Sequence, residues 1–248
     1  MQIDNVYTII LAAILPAFAL VLYIWWKDKY QREPFSEIAL GFFYGVVSAG
    51  IALGLELALS ALSLVPDSPT TLLGAAWKAF VGAAIPEELA KLLMLWLLLR
   101  KSKWFNERFD GIVYAVCIGM GFAATENLIY LFSNLETWQS VAVGRAMFAV
   151  PGHFLFAVAM GYFYSMVYFG DMSWRKSFRI FWAPVLLHGT YDALLMMQEV
   201  GTMWSGILLI CFYIFCFKML KYGRKRIAEH LERDKNNSPA ESTTLTQD

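Results

Sequence analysis

Apolar residues run in long blocks along this chain, not in the alternation of a half-buried sheet. Seven blocks come near the ~20 residues a helix needs to cross a bilayer. They lie at about 6–26, 38–64, 72–99, 111–133, 141–169, 180–198 and 203–220. The blocks at 38–64, 72–99 and 141–169 are long enough to require tilt or a kink. The pattern predicts an all-α, polytopic transmembrane helix bundle of about seven spans. Composition agrees: 58% of residues are hydrophobic and 16% charged, against roughly 45–50% and 25% in soluble domains.

Charge adds orientation. Every Lys and Arg except Lys78, Lys91 and Arg145 falls after the first, third or fifth block or at the C-terminal end of the chain. The intervening segments 1–5, 65–71, 134–140 and 199–202 have none. The positive-inside rule then places the N-terminus out and the C-terminus in, which an odd number of spans satisfies. Lys78 and Arg145, near the outer ends of their helices, are expected to snorkel. Net charge is zero and points to no partner; nucleic acid is not expected. Met1–Asn5 has no basic run, so the first block reads as a retained span. Cys117, Cys211 and Cys216 all lie in apolar blocks, so no disulfide framework is expected. Residues 1–222 read as one transmembrane domain. Residues 223–248 read as a basic, then polar, cytoplasmic tail, largely disordered, although 221–234 has the pattern of a basic amphipathic helix. Gly41-x-x-x-Gly45 and Gly50-x-x-x-Gly54 read as close helix-packing faces.

The third block is interrupted by Pro86-Glu87-Glu88-Leu89-Ala90-Lys91. Each ionisable group at a helix centre costs about 2.5–3.5 kcal/mol on insertion scales. A helix that served only as an anchor would carry Leu here, so the segment reads as a functional site. Four other blocks carry polar groups away from their ends: Glu56, Glu126-Asn127, His153, and His188 with Asp192. At about 1.5 Å per residue the groups in spans three to six fall in one layer, central to outer. Glu87 and Lys91 share a helix face, as do His188 and Asp192. One glutamate is expected to pair with Lys91 and the other to face a cavity, with Pro86 opening room for water. Glu56 is expected to pair with Lys78.

Such a set supports amide hydrolysis by two routes. A glutamate and a histidine can activate water directly, or histidines and carboxylates can hold zinc beside a carboxylate base. H-E-x-x-H is absent, and no G-x-S-x-G occurs. A proton-coupled transporter or channel could use the same carboxylates and histidines and is the alternative reading, but no paired repeat is visible.

Together, Pro86-Glu87-Glu88-x-x-Lys91, Gly121-Phe122-Ala123-Ala124-Thr125-Glu126-Asn127, His153 and His188-x-x-x-Asp192 resemble the PrsW family of bacterial intramembrane proteases, over about residues 35–200. That family is related to the CAAX prenyl proteases and bacteriocin-processing enzymes. The resemblance implies site-1-type cleavage of a single-span substrate, such as an anti-sigma factor, in the bacterial cytoplasmic membrane. It makes Glu87, Glu88, His153, His188 and Asp192 the catalytic candidates, with Lys91, Glu126 and Asn127 in support. It leaves open a divalent metal such as zinc on Glu87, Glu88, His153 and His188. Three positions depart from the wider superfamily: the basic residue of the first motif is Lys91, Ala149 stands where Phe precedes His153, and Asp192 replaces Asn.

Overall fold

In a computed structural model, which describes residues 3–201 and 203–237, the chain is helical throughout, with no strand among the described residues. The elements are α1 (Ile3–Lys27), α2 (Phe35–Ala61), α3 (Leu72–Trp77), a π-helical segment (Lys78–Ala84), α4 (Ile85–Leu99), α5 (Arg108–Ser133), α6 (Trp138–Gly144), a π-helical turn (Arg145–Ala149), α7 (Val150–Tyr168), a single 3₁₀ turn (Trp174–Lys176), α8 (Phe178–Glu199) and α9 (Ser205–Asn237). Six helical stretches are long and apolar enough to cross a membrane: Val6–Lys27, Phe35–Ala61, Arg108–Ser133, Trp138–Tyr168, Trp174–Glu199 and Ser205–Asn236. They match six of the seven expected spans. The other, 72–99, is a continuous helical run in three pieces, and it carries Lys78, Glu87, Glu88 and Lys91.

α5 is the central post. From Phe109 to Ala124 every residue is buried, because α1, α2 and α7 surround it. Two glycine pairs allow this closeness. A Cβ on Gly45 of α2 would sit 2.1 Å from the Ile118 carbonyl oxygen, and one on Gly161 of α7 would sit 2.2 Å from that of Gly111. Only Gly tolerates backbones in such contact. Gly50 and Gly54, expected to pack likewise, have nothing within 4 Å of a built Cβ. No described residue packs against them.

The two π-helical segments have a common cause. Pro86 and Pro151 lack an N–H and cannot close the bond to the carbonyl four residues earlier. In both places the preceding turns widen to the i→i+5 pattern, ending at Ala84 and Ala149. Such bulges concentrate at functional sites. Here each delivers a helix start directly before Glu87-Glu88 and before His153.

The C-terminal region differs from expectation. Residues 223–237, read as part of a largely disordered tail, continue α9 as helix. The expected amphipathic helix therefore exists, but its apolar face lies on protein. Ile227, His230 and Asp234, spaced three and four apart, are buried. The His230 ring stacks on Tyr162 at 4.5 Å, and the Asp234 carboxylate accepts from the backbone N–H groups of Arg108 and Phe109 at 3.0 and 2.8 Å. Asp234 thus caps the first turn of α5 from another helix. The rest of the expected tail, 238–248, lies outside the described residues.

Candidate active site

Five helices, α2, α4, α5, α7 and α8, bring polar side chains to one open cavity of about 680 Å³, whose wall includes Glu56, Glu87, Glu126, His153, His188 and Asp192. That volume lies within the usual range for ligand pockets. The cavity lies toward the C-terminal end of α5, away from the 100–108 loop with its cluster of basic residues.

Lys91 is the hub of the first wall. Its ammonium donates to Glu88 Oε1 at 2.8 Å and to Glu87 Oε2 at 3.1 Å, and sits 3.8 Å from the centre of the Phe122 ring. Lys91 therefore pairs with both glutamates, where one had been expected. The two still differ. Glu88 is 0% exposed and sits between Lys91 and His188 Nδ1, 2.9 Å away, while Glu87 lines the cavity. Because adjacent helical residues point about 100° apart, only one can face the cavity, and it is Glu87.

His188 lies between carboxylates, with Nδ1 on Glu88 and Nε2 3.2 Å from Asp192 Oδ2. Its ring stacks on Phe156 at 4.6 Å. The i, i+4 spacing thus brings Asp192 to the ring as expected.

His153 is held from two sides. Lys91 Nζ lies 3.3 Å from Nδ1, and Glu126 Oε2 lies 2.8 Å from Nε2. An ammonium can only donate and a carboxylate only accepts. Nδ1 is therefore the acceptor and Nε2 carries the hydrogen. Glu126 is in turn bound by Arg145, whose Nη2 is 2.6 Å from Oε2, while Arg145 Nε donates to Asn127 Oδ1 at 2.5 Å. Asn127 Nδ2 completes the chain by donating to the Ala13 carbonyl of α1 at 2.9 Å.

Arg145 is the residue the sequence reading missed. It does not snorkel to an interface; it is the cation that compensates Glu126. Its place on the same helical stripe as His153 was the available signal. The expected Glu56–Lys78 pair is also absent. Lys78 donates to the Asp67 carbonyl. Glu56 lines the cavity with no hydrogen bond or ion pair to any described residue. No disulfide occurs among the described residues, as expected.

One ligand atom each from Glu87, His153 and His188, all buried, lie within 4.8 Å of one another. One carboxylate and two imidazoles beside an open cavity fit the three-ligand pattern of catalytic zinc. Glu88, included in the expected metal set, is not part of this converging group. It orients His188 from behind.

Comparison with known proteins identifies the family. The profile of the PrsW family of intramembrane metalloproteases matches residues 33–219. Proteins named Protease PrsW are similar over most of the chain. The one from Clostridioides difficile (strain 630) is 35% identical over 214 residues, covering 84% of this chain and 87% of its own. That from Geobacillus kaustophilus (strain HTA426) is 31% identical over 223 residues, covering 88% and 93%. That from Bacillus subtilis (strain 168) is 31% identical over 195 residues, covering 76% and 83%. No solved structure matches. A multi-pass helical chain with this polar cavity, matched by that profile over most of its length, belongs to the PrsW family of intramembrane metalloproteases.

Proposed function

We propose that this protease cuts a single-span membrane protein, of the anti-sigma-factor kind, near its outward face in the bacterial cytoplasmic membrane. The observation that carries the proposal is the convergence of Glu87, His153 and His188 on one cavity wall. The cavity lies toward the end of α5 remote from the basic loops, which with the positive-inside rule is the outer half of the bilayer.

Glu87 is the group that faces water. Its carboxylate takes a proton as the water oxygen bonds to the scissile carbonyl carbon. The same proton passes to the amide nitrogen as the C–N bond breaks, so an acid and an amine leave and Glu87 is regenerated. Glu88 anchors the His188 ring at Nδ1, and Nε2, with Asp192 at 3.2 Å and Glu87 at 3.9 Å, is the nitrogen turned toward the converging group. Lys91 compensates the paired glutamates and supplies positive charge next to the developing oxyanion. In the other route, Glu87, His153 and His188 would together hold a divalent metal such as zinc, which would polarise a carbonyl and lower the pKa of water, with Glu87 then a ligand and not the base. Glu126 keeps the hydrogen of His153 on Nε2, so that Nδ1 carries the lone pair, which here faces Lys91 at 3.3 Å.

The test uses purified Glu87→Gln and His153→Ala in detergent with a single-span reporter. Both are expected to fold and to lose cleavage. Full activity in either overturns the assignment. Elemental analysis of the wild type before and after a chelator, with zinc readdition, tests the metal. Unchanged cleavage after complete removal overturns that part.

A further inference from the structure

A second cluster of carboxylates lies at the opposite end of the bundle. Asp28 follows α1, Glu33 lies in the next loop, and Glu107 and Asp110 open α5. Asp28, Glu33, Glu107 and Asp110 are 1%, 3%, 8% and 0% exposed. On α5, Asp110 stands 16 residues before Glu126, or about 24 Å along the helix, so the cluster is separate from the protease cavity. One ligand oxygen from each of Asp28, Glu107 and Asp110 lies within 4.8 Å of the others.

Local hydrogen bonds do not use up these groups. Asp110 Oδ2 accepts from the N–H groups of Asn106 and Glu107 at 2.9 and 2.6 Å, and Asp28 Oδ2 accepts from that of Glu33 at 3.2 Å. Tyr114 donates to the Glu33 carboxylate. Yet Glu107 Oε2 and Asp110 Oδ1 are sealed from solvent with no hydrogen-bond partner. The nearby cations are committed elsewhere. Arg32 Nε goes to the Asp28 backbone carbonyl at 2.9 Å, and Arg108 pairs with Asp171 at 2.5 Å. No Lys or Arg forms an ion pair with any of the four carboxylates among the described residues. Buried carboxylates with orphan oxygens and no ion-paired protein cation require a cation or a proton.

We propose that Asp28, Glu107 and Asp110 bind a hard divalent cation, of the Mg²⁺, Mn²⁺ or Ca²⁺ class, that fastens the end of α1 to the start of α5. The donors are all oxygen, which suits these ions and disfavours a soft-ligand metal. Glu33, held by Tyr114 and followed by α2, is a fourth buried carboxylate at this end of the bundle. The protease cavity, by contrast, offers two imidazoles, so the two sites separate by ligand chemistry.

The test uses the full chain, stripped with chelator in detergent, with Mn²⁺ as the probe and loss of its free electron paramagnetic signal as the readout. Wild type is expected to take up Mn²⁺ in competition with Mg²⁺ or Ca²⁺. The Glu87→Gln/His153→Ala double variant is expected to keep that uptake, and its thermal midpoint to rise with added Mn²⁺. Asp28→Asn and Glu107→Gln are expected to weaken binding at least tenfold. Because Asp28 accepts a single backbone bond, its variant keeps the local cap. Absence of uptake at millimolar Mn²⁺, or its loss in the Glu87→Gln/His153→Ala variant, overturns the proposal; in the first case protons neutralise the cluster. Neither outcome depends on cleavage, so the proposed protease chemistry stands or falls separately.

Discussion

Arg145→Ala is a sharp probe of the site, because Arg145, on the cavity wall, bonds Glu126 and Asn127 and not the converging Glu87, His153 and His188. The substitution removes the 2.6 Å bond to Glu126 and the 2.5 Å bond to Asn127. It leaves the Glu126 carboxylate, whose side chain is 20% exposed, with His153 as its one remaining partner. Losing a charge-assisted bond costs about 1.5–3 kcal/mol, and stranding a fully buried charge costs about 3–5 kcal/mol. Partial exposure to the cavity lets water recover some of this, so about 2–3 kcal/mol of stability is expected to go. The functional loss has a separate origin. A freed Glu126 no longer fixes the His153 ring, and losing such a supporting partner typically costs about 10–100-fold in metal affinity or activity. Lys at this position restores the charge but not the two-pronged geometry, so Arg145→Lys is expected to recover stability more than rate. The assays are a thermal melt in detergent, cleavage of a single-span reporter, and zinc retention in chelator competition. The chain holds three histidines, so ¹⁵N spectra of a histidine-labelled sample also report whether His153 keeps its hydrogen on Nε2. Wild-type rate, zinc retention and tautomer in Arg145→Ala would refute the reasoning.

Three further outcomes are expected. Glu88→Gln removes the carboxylate shared by Lys91 and His188, leaving Lys91 with Glu87 and His188 with Asp192, and is expected to destabilise by about 1.5–3 kcal/mol. Glu87→Gln, on the cavity wall, is expected to lose cleavage with a smaller drop in thermal midpoint; the reverse ranking would contradict the placement of the two glutamates. Gly45→Ala drives a methyl into the Ile118 carbonyl and is expected to cost about 1–3 kcal/mol by overpacking, whereas Gly54→Ala, with open space around it, is expected to be neutral; equal melts would refute the packing argument. Burial pushes Asp28 up to about 6 and Glu33 and Glu107 up to about 7. Raised folded values mean stability is present at low pH and falls as pH rises through them. In chelator, the melting midpoint is therefore expected to fall between about pH 4.5 and pH 7, and Glu107→Gln to flatten the slope; a slope unchanged in Glu107→Gln would count against it.

The hydrophobic blocks and their order determined the helical bundle, since twenty apolar residues in a row have few other places to go. The charged interruption at Glu87-Glu88, and the i, i+4 spacing of His188 and Asp192, marked the polar layer for the same reason: hydrocarbon does not tolerate such groups idle. Periodicity could not say which glutamate faces the cavity, because both Glu87 and Glu88 lie within reach of Lys91 along one helix. That choice came from the position of α8, which brings His188 behind Glu88. Arg145 was visible as a residue but not as a partner, since its contacts to Glu126 and Asn127 cross from one helix to another and depend on a π-helical turn. The basic segment after residue 220 was legible as amphipathic. That its apolar face meets Tyr162 and its Asp234 caps α5, instead of resting on lipid, followed only from how α5, α7 and α9 pack. Sequence spacing fixes which groups share a helix face; the packing of the helices decides what each face meets.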